Sequence, residues 1–170
     1  MAIASVSSAE PGLVDRVMYQ VAEALIERGL RPVGVVPALR DRPIAERCDM
    51  ELRILPGPRR VRITQNLGRH SVSCKLDATA IEEAVGATEA ELSQHFDLFI
   101  LNKFGQREAE GRGFRPLIAE AIGKGVPVLL GVSEINRKAF DAFVEGMGAA
   151  LPPDRDAVLG WFFGQTAGRP

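Results

Sequence analysis

Cysteine and histidine are scarce in this chain: Cys48, Cys74, His70 and His95 are the only ones among 170 residues. That rules out a disulfide framework, and the spacing matches no zinc-binding pattern, so a hydrophobic core has to hold the fold together. Net charge is also nearly absent. Lysine and arginine number 21 against 22 aspartate and glutamate, for a net charge of -1, which argues against electrostatic capture of nucleic acid or anionic lipid. No stretch approaches the roughly 20 apolar residues needed to cross a bilayer. The opening MAIASVSSAEPG lacks the basic start and apolar length of a secretory signal. The expectation is a cytoplasmic protein with no nucleic-acid partner and no membrane insertion.

What remains is the composition of a folded domain, 46% hydrophobic and 25% charged, with enough residues to bury one core. A short apolar stretch from Ala2 to Val6 runs into Ser7-Ser8-Ala9-Glu10-Pro11-Gly12. Beyond it Leu13, Val14, Val17, Met18, Val21, Ala24 and Leu25 recur at helical spacing. The pattern stops near Gly29, and Pro32 to Val36 reads as a second buried strand, so the whole is a βαβ unit with parallel strands. Residues 50–55 and 61–65 alternate apolar with polar around Pro56-Gly57-Pro58, which predicts an antiparallel hairpin, an insertion spanning about 49–66. Asp77 caps a predicted helix through Val85, and Thr88-Glu89-Ala90-Glu91 looks like a capping box opening another. Strand, helix and strand then follow at 98–101, 114–124 and 126–132, and an amphipathic helix at 136–147. The tail from about 152 to 170 carries Val158, Leu159, Trp161, Phe162 and Phe163, which suit docking on the core. The fold class expected is a single three-layer α/β domain over 1–170 with a mainly parallel central sheet.

In such sheets ligands bind where strand carboxyl ends lead into helices. Three loops qualify: Ser7 to Gly12, Asn102 to Gly113, and Ser133 to Asn136. The first offers Ser7, Ser8, Gly12 and a helix start that suits an anion, but it has no lysine of the G-x-x-x-x-G-K-[ST] kind. The second, NKFGQREAEGRG, holds Asn102, Lys103, Arg107 and Arg112 as anion contacts, Gly105, Gly111 and Gly113 for close backbone approach, and Glu108 with Glu110 as magnesium ligands or orienters of the cations. A connecting loop whose charges neutralise one another is the plain alternative. A further segment, Gly68 to Asp77, brings Arg69 and Lys75 as anion contacts beside His70 and Cys74, whose ordinary readings are a surface histidine and a small buried hydrophobe.

Together, Asp15, Gly29 to Gly34, the Gly68-Arg69 to Asp77 segment and above all Asn102-Lys103-Phe104-Gly105 to Glu108-Ala109-Glu110-Gly111-Arg112-Gly113 resemble a bacterial domain family of unknown function. That family is related to the P-loop nucleoside triphosphatases and often encoded beside molybdate transport genes. The resemblance implies a P-loop-like fold, with the Ser7 to Gly12 loop in the P-loop's place and Asn102 where an acidic metal-binding strand end stands. It implies a small anionic ligand, whether nucleotide, phosphate or a molybdate-like oxyanion, with Mg2+ accompanying a nucleotide. Three functions follow: a binding module with a degenerate P-loop acting in molybdenum metabolism, a triphosphatase or phosphotransferase using Lys75, Lys103 or Arg112 in place of the missing lysine, and an adaptor docking on a transporter or cofactor-assembly partner. Assembly as a homo-oligomer is left open.

Overall fold

The computed structural model describes residues 2–38, 50–65 and 75–167. In chain order the elements are β1 (Ile3–Val6), α1 (Leu13–Glu27), β2 (Pro32–Pro37), β3 (Glu51–Leu55), β4 (Arg60–Arg62), α2 (Ala78–Leu92), β5 (Leu98–Phe104), α3 (Gln106–Ala109), α4 (Arg115–Gly123), β6 (Val128–Val132), α5 (Glu134–Phe143), β7 (Ala149–Leu151) and α6 (Arg155–Thr166). One seven-stranded sheet runs β4-β3-β2-β5-β6-β1-β7. Its five strands from β2 to β7 are parallel, and the β3–β4 hairpin extends the β2 edge antiparallel.

The strands are apolar along their length because both faces are covered. Leu98 and Ile100 of β5 point to one layer and Phe99 and Leu101 to the other, all four buried. On the first face α1 brings Val17, Met18, Val21 and Leu25, and α6 adds Val158, Leu159 and Phe162. On the second, α2, α4 and α5 bring Ile81, Leu117, Ile118, Phe140 and others. Each such large side chain contributes about 1.5–3 kcal/mol on burial. The aromatic tail therefore belongs largely to the core, with Phe162 buried and Phe163 half-exposed beside it.

Two local expectations change. Residues 78–92 form one helix rather than two, because Thr88 is fully buried and its hydroxyl bonds to the Ala84 carbonyl at 2.8 Å instead of capping a new start. The strand expected to end at Leu101 continues to Phe104, with an irregularity in its pairing to β6 between Leu101 and Phe104. Gly131 stands within β6, where the end of β5 comes closest. A Cβ there would lie 2.0 Å from the Asn102 carbonyl oxygen, so the irregular end of β5 approaches β6 only because that side chain is absent.

Connections fix where a crevice opens. From β1 the chain crosses through α1 on one face to β2, whereas from β6 it crosses through α5 on the other face to β7. The carboxyl ends of β1 and β6 thus lie side by side while their following helices part, the arrangement that leaves a ligand-sized gap in open α/β sheets.

Candidate functional site

A cavity of about 320 Å3 occupies that gap. The first loop and α1 supply Ser8, Glu10, Gly12, Val14 and Asp15, the end of β5 supplies Asn102 and Lys103, and β6 with its following residue supplies Gly131, Val132 and Ser133. All three loops expected at the site meet here. Gly12 caps α1 in the left-handed region at φ 76°, with no side chain capping the helix, so the positive end of a 15-residue helix faces the cavity. Asp15 sits in the first turn of that helix and lines the cavity together with Asn102. Burial pushes its carboxyl up from the usual aspartate value, while the Asn102 hydrogen bond and the charge of Lys103 pull it back.

Of the residues expected at the site, Ser8, Gly12, Asn102 and Lys103 line this cavity. Ser7 does not. Its hydroxyl donates to the Val132 carbonyl at 2.6 Å and accepts from Arg137, whose other terminal nitrogen donates to Ser5 Oγ at 3.0 Å. That places a guanidinium from α5 beneath the end of β1, stacked 5.4 Å from the Phe140 ring.

The rest of the charged loop closes on itself. Glu108, the expected magnesium ligand, is 5% exposed; its two carboxylate oxygens accept from the backbone N–H groups of Gly105 at 2.9 Å and Phe114 at 3.1 Å. It is a strut of its own loop, and Gly105 serves it. Gly113, at φ 61°, belongs to the same device, since a Cβ there would meet Glu108 Oε1 at 2.4 Å. Arg107 pairs with Glu82 at 3.4 Å, and Arg112 pairs with Glu110 while lining a separate groove of about 440 Å3 between α2 and α4. Arg112 and Gln106 hold the exposed Glu110 carboxyl below its usual range. Lys75 is exposed next to the Thr64–Leu76 bridge, at the β4 end of the sheet, and does not line the cavity. Arg69, His70, Cys74 and Cys48 lie outside the described residues. No group of three or more metal-ligating side chains occurs among the described residues.

Residues 3–161 match the model of a family described as protein of unknown function, DUF2478. The chain belongs to that family. It is also 33% identical over 150 residues, 88% of its length, to the molybdenum import ATP-binding protein ModC 2 of Bradyrhizobium diazoefficiens, and spans 17% of that relative. Two solved structures share the fold: a human cancer-related nucleoside triphosphatase, at TM-score 0.69 and 10% identity with both chains fully covered, and THEP1 from the hyperthermophile Aquifex aeolicus, at 0.62 and 15% over 94% of this chain and 95% of that one. The fold is therefore P-loop-like, and this chain's first loop can be set beside the P-loop pattern. Counting back from Gly12 as the second glycine, Ser7 takes the place of the first, Leu13 that of the lysine and Val14 that of the hydroxyl residue.

Asp15, Glu10 and Arg137 were not among the residues expected at the site. In sequence Asp15 counts only among the residues carrying the family resemblance, and Glu10 only as part of the first loop. Arg137 gave no signal at all, because only the fold brings α5 against β1.

Proposed function

We propose that the chain is a binding module that seats the phosphate group of a nucleotide, or a small oxyanion, in the crevice beside β1 and turns it over slowly or not at all. The observation that carries this reading is the cavity itself, with the amino end of α1 and Lys103 converging on it at the strand ends. Oriented amides and one ammonium supply attraction. Turnover lacks its usual parts, since Leu13 and Val14 replace the lysine and hydroxyl and Asn102 stands at the strand end. Arg112 and Glu108 are engaged elsewhere, which leaves the triphosphatase reading few residues to use. The name of the ModC 2 relative supports a role alongside molybdenum import.

A thermal-shift panel of ATP, ADP, phosphate and molybdate, each with and without magnesium, tests this. A ligand at 100 times its Kd stabilises by about 2.7 kcal/mol, which for a domain of this size raises Tm by about 5–10 °C. No shift with any of them overturns the reading. A phosphate-release rate of about 1 s⁻¹ or more overturns the claim of slow turnover.

A further inference from the structure

The charges that line the cavity do not favour anions indiscriminately. Among its described residues, Lys103 is the one cation, and Glu10 and Asp15 are both acids. Asp15 is the more consequential because it is half-buried, lines the cavity across from Asn102 and Lys103, and is set in the helix turn that an incoming anion would approach. We infer that Asp15 determines the ligand class of this cavity, admitting oxyanions and phosphate groups that carry a proton of their own and rejecting those that do not. The inference rests on the binding reading above and narrows it.

The chemistry is that of a hydrogen bond needing one proton between two oxygens. An ionised carboxylate only accepts, so against a fully deprotonated oxyanion it sets lone pair against lone pair and charge against charge. Phosphate and its monoesters at neutral pH hold or readily take up a proton, which then sits between ligand oxygen and Asp15. Sulfate and molybdate carry none at that pH. Burial, which raises the Asp15 carboxyl, makes it the better partner for such a shared proton. Lys103 and the end of α1 attract all these anions alike, so discrimination falls to the acids; Glu10, in the outer loop and exposed, faces solvent and exerts the weaker effect. A site with a fixed polar partner rejects a ligand lacking the matching group far more strongly than an apolar pocket does.

The test is calorimetric titration of the full chain at pH 7 in EDTA with sodium phosphate, sodium sulfate, sodium molybdate and ADP, for the natural protein and Asp15→Asn. Phosphate is expected to bind the natural protein at least about 100-fold more tightly than sulfate or molybdate. Asp15→Asn, whose amide can donate to a bare oxyanion, is expected to narrow that gap to within about tenfold, chiefly by gaining sulfate affinity. Equal binding of phosphate and sulfate by the natural protein, an unchanged ratio in Asp15→Asn, or phosphate binding only after magnesium replaces EDTA would each overturn the inference. ADP separates the two levels: ADP binding with no preference among the inorganic anions leaves the binding module standing and removes the role of Asp15. Failure of all four ligands on both folded proteins, with folding checked by thermal unfolding, removes both.

Discussion

Truncating Glu108 should unfold the loop it occupies more than it alters any ligand's affinity. In the native state this carboxylate is 5% exposed, and its two oxygens accept from Gly105 and Phe114 at 2.9 and 3.1 Å. Hydrogen bonds to a charged group are each worth about 1.5–3 kcal/mol. Desolvating the carboxylate offsets part of that sum, which leaves about 3 kcal/mol for Glu108→Ala. At 2–4 °C per kcal/mol for a chain of this length, Tm should fall by about 6–12 °C. Glu108→Gln is the sharper variant. It keeps the shape and one acceptor oxygen but turns the other oxygen into an NH2 group facing a backbone N–H, so about half the loss should persist. A residue that held magnesium instead would behave in reverse, with magnesium-dependent binding lost and Tm steady. Thermal unfolding of the three proteins decides the matter, and a Tm within 2 °C of the natural protein for Glu108→Ala would refute the strut.

Gly113→Ala should cost about 1–3 kcal/mol, since it forces a φ of 61° on a Cβ pressed against Glu108 Oε1; combined with Glu108→Ala the two losses should be less than additive, and strict additivity in a double-mutant cycle would count against contact between them. Arg31→Ala should destabilise by about 2 kcal/mol in urea unfolding, because this side chain pairs with Glu91 and donates to the Glu91 and His95 carbonyls at 3.2 and 2.8 Å where α2 ends. Asp15→Asn should raise Tm at neutral pH: a folded-state carboxyl pushed above its unfolded value destabilises the fold once pH exceeds that raised value, and the penalty is absent below the unfolded value. The gain should therefore shrink as pH is lowered toward the ordinary aspartate range, and a gain that stays constant down to that range would be the wrong result.

The fold was largely legible because its signals are local and repeated. β-branched and leucine runs marked β2, β5 and β6, with proline or glycine beside β2 and β6, a short apolar stretch marked β1, and helical spacing marked α1, α4 and α5. The failures have physical reasons. Thr88 in a capping-box pattern satisfied its hydroxyl inside the helix, so the pattern did not break α2. β5 outran its apolar residues because Asn102 and Lys103 extend along a strand end that looks onto the cavity, where polar side chains are tolerated. β7 is three residues on an edge, the middle one exposed and the others half-buried, too short for period or composition to announce it.

That the three loops come together was legible in the sequence; which of their charged residues line the cavity was not. Strand-end logic brought the three loops together, since it depends only on topology. Which charges face the gap depends instead on how each side chain pairs, locally or with a distant element. Arg107 finds Glu82, Arg112 turns to Glu110, and Glu108 folds back on the amides of its own loop. Of this motif dense in charge and glycine, Glu108, Arg107 and Arg112 pair within the corner after β5 or with α2, and only Asn102 and Lys103 line the cavity. The acid that matters came from the opposite wall. Gly12 is followed by leucine and valine, and then by Asp15 in the first turn of α1, so this wall of the cavity carries a carboxylate and no cation. The amino end of α1 still attracts negative charge, but it now does so next to a group that repels it unless a proton comes too. That opposition is why ligand protonation, more than ligand charge, should govern what this crevice holds.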